Sequence, residues 1–503
     1  MDSKPMAGSL LIVKKPLFHY SKAVCMTLCC LTLILCGSLV LRAQGTSEVF
    51  KAGASTSNIT PPLGGILVGG FGAPVATHIH DELHARSLVL DDGENKLVFV
   101  LVDNVSINRE VFDEAKRRLQ RDTGIPESHL LMAATHTHSA TSASGLAEKR
   151  RGWNFDKPLD DYQNFVVSRI VDGVKIAINN LEPAQIGWGS GNVPQHVFNR
   201  RWKMKPGTPM PNPLGSQDKA VMNPGVGNPN LLEPAGPTDP EVYFLSVRSL
   251  SGKPIALLAN YSLHYVGGVP NDHVSADYFA VFADRIQEFL GADRQDPPFV
   301  GIMSNGTSGD VNNINFGGSP EKNAPYEKMR RVADDVAKEV YRVQQTVEYH
   351  DWVPLQAERS ELTLQVRQAS PDLVARSKMV MDRPDSVKPA HSLEKIYAQR
   401  VLQFHEEWPS EIDIVLQTFR IGELGIAAIP FETFTETGLE IKAKSPFQDT
   451  FTIELANGNY GYLPTPAQHE LGGYETWLTT NRVEISASDK IVEELLNLFG
   501  KLR

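Results

Sequence analysis

The sequence predicts an α/β protein: a single large layered domain in which a mixed β-sheet is flanked by helices, with the chemistry gathered at the C-terminal ends of strands. Three observations predict it. Strand-length apolar runs alternate with segments of helical period between Ser87 and Met303, as expected of α/β layers. The composition, 41% hydrophobic and 21% charged over 503 residues, is that of a folded globular protein and fits neither disorder nor a polytopic membrane fold. Several of the apolar runs also end in a residue able to bind a metal or move a proton.

Ahead of the domain, Lys14, Lys15 and Lys22 precede an apolar span from Ala23 to Leu41, and Leu41-Arg42-Ala43-Gln44-Gly45 offers a cleavage position after Ala43. Residues 1–45 are therefore expected to direct export as a signal peptide, or to remain as a signal anchor, because the span is close to the shortest membrane helix. The folded domain is expected over residues 46–503. All four cysteines, Cys25, Cys29, Cys30 and Cys36, fall in the N-terminal segment, so any metal in the domain would be held by histidine, carboxylate or another oxygen donor. A net charge of −10 gives no basic footprint, and nucleic acid is excluded as an expected partner.

Within the domain, Asn58-Ile59-Thr60-Pro61-Pro62 and the glycines from Gly64 to Gly72 read as an irregular opening loop. His78, His80 and His84 are spaced like metal ligands, but Ser87-Leu88-Val89-Leu90 begins a strand at once, and the group is read as a rim loop. Lys96 to Val102 is a buried strand, and Arg109 to Gln120 has amphipathic helical spacing. The apolar run from His129 to Met132 opens into Ala133-Ala134-Thr135-His136-Thr137-His138-Ser139, and a helix follows from Tyr162 to Asn180.

Lys203 to Pro240 is rich in Pro, Gly and Asn and has no period; it is a lid, a substrate-channel wall or a plain surface excursion. Val242–Val247 and Pro254–Tyr261 are strands paired around Ser251-Gly252-Lys253, the second running into Ser262-Leu263-His264. A helix from Ala276 to Leu290 and a strand from Phe299 to Met303 lead to the small-residue loop Ser304 to Asp310, either an anion-binding nest or a simple turn. Glu321 to Gln345 reads as a long charged helix and Gln368 to Pro389 as a surface insertion. Strands over Glu411–Ile421 and Leu424–Ile429 then pair around Gly422 and end at Pro430-Phe431-Glu432.

Residues i and i+2 of a strand share a face, so a strand carried through His136 and His138 would aim both imidazoles at one point. Such a pair suits a metal ligand beside a general acid/base, although an isolated His-x-His is more often two hydrogen-bonded histidines in a polar turn. Two further strands end in ligand-type residues, His264 and Glu432. Two imidazoles and a carboxylate make a catalytic zinc set with one position left for water. Zinc would lower the pKa of that water to about 7 and polarise a carbonyl.

At these residues the sequence resembles the neutral, non-lysosomal ceramidase family. The matching pieces are Asn58-Ile59-Thr60-Pro61, Thr135-His136-Thr137-His138-Ser139, Asn199-Arg200, Leu263-His264, Gly309-Asp310-Val311, Pro430-Phe431-Glu432-Thr433, Gly461-Tyr462 and Tyr474-Glu475. They occur in the family's order from about residue 50 to 480. The resemblance implies zinc as cofactor, with His136, His264, Glu432 and Tyr462 as ligands. It also implies catalytic roles for His138 in proton transfer, Arg200 in holding an oxyanion and Tyr474 at the reacting group. Residue chemistry alone would read Tyr462 as an aromatic closing a Gly-rich turn, and Arg200-Arg201 as a solvated basic pair.

Two departures bear on the activity. Where the ceramidases continue Gly-Asp-Val with a catalytic serine, this chain has Asn312, whose amide can donate a hydrogen bond but cannot act as an alkoxide nucleophile. Only Val483 to Arg503 follows the matched region, which leaves no room for the family's additional β-sandwich domain. The expectation is an exported zinc-dependent hydrolase cleaving an amide bond, that of a ceramide-like lipid included, by attack of zinc-bound water. The expected partner is a small-molecule or lipid amide substrate, met at a membrane surface. The alternatives are a zinc esterase or amidase on another small substrate, or a lipid-binding protein that lost catalysis with the serine.

Overall fold

Leu97, Phe99 and Leu101 feed one hydrophobic core while Val98, Val100 and Val102, the residues between them, feed another. A strand apolar on both faces has to be covered on both sides, and this requirement builds the layers. The structure, a computed structural model, describes residues 49–70, 72–141, 143 and 158–503. The expected export segment and its four cysteines lie outside the described residues. No helix among the described residues is long and apolar enough to cross a membrane.

Strands β1 (Lys51–Asn58), β2 (His84–Asp91), β3 (Lys96–Val102), β4 (Leu130–Ala134), β5 (Glu182–Asn192), β6 (Glu241–Ser249), β7 (Pro254–Tyr261) and β8 (Val300–Asn305) form one mixed sheet in the order β8-β7-β6-β5-β1-β2-β3-β4. Pairing is parallel only at its two ends, β3 with β4 and β7 with β8. Its halves are joined through just Lys51 and Ala52 of β1 against Pro183 and Glu182 of β5. The sheet coils about this narrow joint, as strand twist favours, and β8 comes into contact with β3 and β4. Strands β9 (Leu355–Gln365), β10 (Glu411–Ile421), β11 (Leu424–Ile429) and β12 (Asp449–Glu454) make a second sheet, with β11 and β12 parallel.

The expected large mixed sheet with helices against it is present, but helices cover only one of its faces. Helices α1 (Arg109–Thr123) and α2 (Asp161–Asn179) pack on the β1–β4 half, and α3 (Asp277–Phe289) and α4 (Glu327–Gln344) on the β5–β8 half. The other face meets the second sheet, with Phe99 5.3 Å from Phe419 between ring centroids. Of the later helices α5 (Pro371–Asp382), α6 (Glu394–Glu407), α7 (Thr435–Lys444), α8 (Pro466–Leu471) and α9 (Ala487–Lys501), α7 and α9 pack on the second sheet, and α6 reaches the same core through Val401 and Phe404.

Local chemistry explains where the expectations fell short. The sequence reading assigned no element to β5, which carries Gly187, Gly189 and Gly191. They alternate along one face, and a Cβ at Gly187 or Gly191 would meet Glu348 O or Glu339 Oε1 at 2.6 or 2.5 Å, so the strand is stripped to let α4 and its exit lie flat on it. α4 starts at Glu327 rather than Glu321 because Pro325 disfavours helix before it and Tyr326 turns left-handed with φ 65°. The segment after Lys203 is less irregular than expected, since Arg201–Met204 pairs with both Ala220–Met222 and Leu231–Pro234. Past Gln368 the expected surface insertion holds α5 and leads into α6.

Lys116 of α1 is buried in the helix-facing core, its Nζ donating to Asn457 Oδ1 at 2.6 Å. Asn457, left-handed at φ 64°, gives its N–H to Met132 O at 2.8 Å and its Nδ2 to Gln417 Oε1 at 2.8 Å, tying α1 to both sheets. Burial pushes the Lys116 ammonium down to about 7 from its usual 10.5, against the pull of Asp113. Between those values the unfolded chain holds a proton that the folded chain has given up, so stability rises with pH across that window. Thermal melts from pH 7 to 9 are expected to show the wild type gaining on Lys116→Met as pH rises; parallel curves would contradict a neutralised Lys116.

Candidate metal centre and active site

Strand β4 ends at Ala134, and His136 beyond it adopts φ 76°, a left-handed conformation uncommon for a side chain of this size. Its N–H donates to Asn104 O at 2.9 Å, and its Nδ1 donates to Val105 O at 2.6 Å. The strand does not run through both histidines, so the shared-face argument fails in its geometry. The bend at His136 nonetheless brings the two rings together, with Nε2 of His138 3.1 Å from Nε2 of His136. His264, just past β7 and fully buried, donates from Nδ1 to Ser308 O at 3.1 Å and sets its Nε2 2.9 Å from that of His136. Glu432, just past β11, places Oε2 3.4 Å from His136 Nε2 and 3.7 Å from His264 Nε2.

This arrangement offers a place for a positive charge, a metal ion or a shared proton. A ring nitrogen facing a carbonyl oxygen has to carry its proton, so His136 and His264 are protonated at Nδ1 and present bare lone pairs at Nε2. Lone pairs 2.9 Å apart repel unless a positive charge lies between them. Glu432 Oε2 is buried at the same point without a hydrogen-bond partner. Among the described residues, His136, His138 and His264 are the group of three whose donor atoms could hold a metal ion, all within 4.8 Å of one another. The rim histidines do not converge in this way: His78 lies beside His273, while His80 stacks on Tyr326 at 3.7 Å.

The remaining nominated residues come to the same place. Glu432–Thr433 pairs in parallel with Tyr462–Leu463, which sets Tyr462 beside Glu432 across 30 residues of sequence. Tyr474 meets Tyr462 edge-on at 5.7 Å, and the Arg200 guanidinium lies 5.4 Å from the Tyr462 ring centre. Arg200 and Arg201 are buried, against the solvated reading of the pair. They share the fully buried Glu475: Arg200 Nε donates to one oxygen at 3.0 Å and Arg201 Nη1 to the other at 2.7 Å. Arg200 Nη2 also donates to Gly309 O at 2.8 Å.

The electrostatics divide the groups. Burial above all drives the His138 and His264 imidazoles well below the usual histidine range, so both are neutral. Burial works to raise the Glu432 carboxyl, yet its surroundings, a hydrogen bond from Tyr462 and the Arg200 charge among them, hold it below the ordinary carboxylate value. Burial and then Glu432 push the Tyr462 and Tyr474 phenols upward.

Around this centre stands a layer that the sequence reading did not nominate. Glu454, fully buried at the end of β12, accepts from Ser308 Oγ at 2.7 Å and Thr433 N at 2.7 Å, bracing the loop whose Ser308 carbonyl holds His264 and the segment that carries Glu432. The rule that picked out Glu432, a strand ending in a ligand-type residue, finds Glu454 once Asp449–Glu454 is read as a strand. The loop from Ser304 to Asp310 is a turn, not an anion nest, because the N–H groups of Gly306, Ser308 and Gly309 are given to Tyr261 O, Glu454 Oε2 and Thr433 O. Gly309 is pressed against the chain at Glu432, where a Cβ would come within 2.5 Å of Glu432 O. Asn312 spends both ends of its amide, Nδ2 on Asn223 Oδ1 at 2.9 Å and Oδ1 on Ile314 N at 2.9 Å.

Removing Glu475 leaves two buried guanidiniums without their shared counter-charge. Glu475→Leu is expected to cost about 3 to 5 kcal/mol in chemical denaturation; an unchanged midpoint would mean that water replaces the carboxylate without loss.

The architecture is shared with solved structures of known proteins. Neutral ceramidase from Pseudomonas aeruginosa matches with a TM-score of 0.67 and 16% identity, over 90% of this chain and 74% of that one. A ceramidase complexed with C2 matches with a TM-score of 0.66 and 17% identity, over 91% and 75%. At such identities the likeness establishes the fold. The sequence model of the N-terminal region of neutral/alkaline non-lysosomal ceramidases matches residues 50–333, more than half of the 503. The chain belongs to the neutral/alkaline non-lysosomal ceramidase family.

Proposed function

We propose that this protein is an exported, zinc-dependent amidohydrolase that cleaves the N-acyl amide bond of a ceramide-like lipid to a fatty acid and a sphingoid base. The observation that carries this reading is the meeting of two bare imidazole lone pairs and an unpartnered carboxylate oxygen at one buried point. Family membership supports the lipid amide as substrate class. In this reading His136, His264, Glu432 and Tyr462 hold the metal, and nitrogen and oxygen donors of this kind suit zinc. When bound, zinc supplies a Lewis acid for the amide carbonyl and lowers the pKa of water in the pocket.

The chain's own residues carry the remaining tasks. His138, neutral at rest, takes a proton from the attacking water and returns it to the amide nitrogen, so that the amine departs uncharged. Arg200 is anchored by Glu475 and Gly309 O, and its charge faces the developing oxyanion without having to move. Tyr474, edge-on to Tyr462, contributes a phenol at the reacting group. Asn223, which takes Arg200 O with its N–H at 2.8 Å and holds Asn312, belongs to the segment read as the wall along which the lipid chain lies. The N-terminal segment exports the chain, and the substrate draws it to a membrane surface.

A second reading rests on Asn312, which places an already committed amide where the resembling family has a hydroxyl. In it the site cleaves a different small amide or ester, or binds lipid without turnover. Elemental analysis beside hydrolysis of short-chain and long-chain fluorescent ceramides separates the two. The first reading expects about one zinc per chain, chelator-sensitive amide cleavage, and loss of zinc and turnover together in His136→Ala. Full activity in a zinc-free protein would end it, and ester cleavage without amide cleavage, or lipid binding without turnover, would favour the second.

A further inference from the structure

The three imidazoles of the centre are not held in the same way. His136 and His264 are each pinned by an Nδ1 hydrogen bond to a main-chain carbonyl. His138 is buried at its Nδ1 with no full hydrogen bond there; the Gly69 carbonyl stands near but outside good geometry. A ring without that bond can turn about its side-chain torsions unless packing stops it.

Packing does stop it, through the residue next to His264. The Tyr265 ring lies flat on His138, with centroids 3.8 Å apart and planes 14° from parallel. Tyr265 is itself wedged. Gly267, at φ 76°, closes on its Cδ2–Cε2 edge so tightly that a Cβ there would come within 3.2 Å. The Tyr265 carbonyl accepts from Asn313 Nδ2 at 3.1 Å, and the N–H groups of Val266 and Gly267 both donate to the buried Asp277. The Tyr265 hydroxyl makes no hydrogen bond among the described residues, so what the residue offers is its ring.

We propose that Tyr265 is a positioning residue for the reaction, its stacked ring setting the plane of His138 in place of the carbonyl that fixes the other two imidazoles. A stack restrains the plane of the ring without drawing on either of its nitrogens. This rests on the reading of His138 as the group that moves protons.

Two variants and two readouts test it. Tyr265→Phe keeps the ring and is expected to stay within about twofold of wild type in kcat and KM. Tyr265→Leu removes the ring and is expected to lower kcat about 10- to 100-fold, the scale of a misplaced catalytic group, with KM and zinc content little changed. The crystal structure of the zinc-loaded Tyr265→Leu protein should show the His138 ring turned or spread over more than one orientation. A His138 ring that stays in place in that structure overturns the proposal, whether or not the wild type hydrolyses ceramide. A Tyr265→Phe protein as impaired as Tyr265→Leu would also overturn it, and loss of zinc in Tyr265→Leu would make Tyr265 a support of the metal ligands instead. Absence of turnover in the wild type would count against the proposed function, not against the stack.

Discussion

The repulsion between the Nε2 lone pairs of His136 and His264 is the constraint on which the rest of the structure depends. Both rings are forced into that tautomer by carbonyl partners at Nδ1, and Glu432 adds a carboxylate oxygen with nothing to accept from. A buried set of donors without a positive charge would be among the costliest arrangements in the molecule. The surrounding polar residues serve to keep it assembled: Glu454 ties the Ser308 loop that holds His264 to the segment carrying Glu432, and Glu475 holds two arginines in the same core.

Delivering those donors is a problem of topology. His136 follows a strand at one end of the large sheet, His264 a strand near the other end, and Glu432 a strand of the second sheet. They can meet only because the first sheet coils about its narrow central joint and packs face to face with the second. The parallel pairs β3/β4, β7/β8 and β11/β12 then contribute their C-terminal ends, where loops rather than helices lie open for side chains.

Much of this was legible in the sequence where a residue's neighbours in sequence decide its fate. The apolar strands, the helix from residue 109 and the placement of His264 and Glu432 at strand ends follow from period and length. Tyr462 was not legible from the residues alone, since its position beside Glu432 is set by a two-residue parallel pairing that no local signal announces. The burial of Arg200 and Arg201 was hidden for the same reason, because their partner Glu475 is more than 270 residues away. β5 drew no assignment from its sequence, and its glycines mark the close approach of α4 and its exit. The single-sheet expectation failed because β9 to β12 pack against the first sheet instead of joining it, and strand pattern alone does not distinguish the two.

Anomalous diffraction at the zinc edge, from crystals of the protein as purified, tests the central claim most directly. The account predicts one strong peak within coordinating distance of Nε2 of His136, Nε2 of His264, a Glu432 oxygen and the Tyr462 hydroxyl, with His138 Nδ1 still unpinned. A peak centred on the three histidines and remote from Tyr462, or no peak at all, would contradict it.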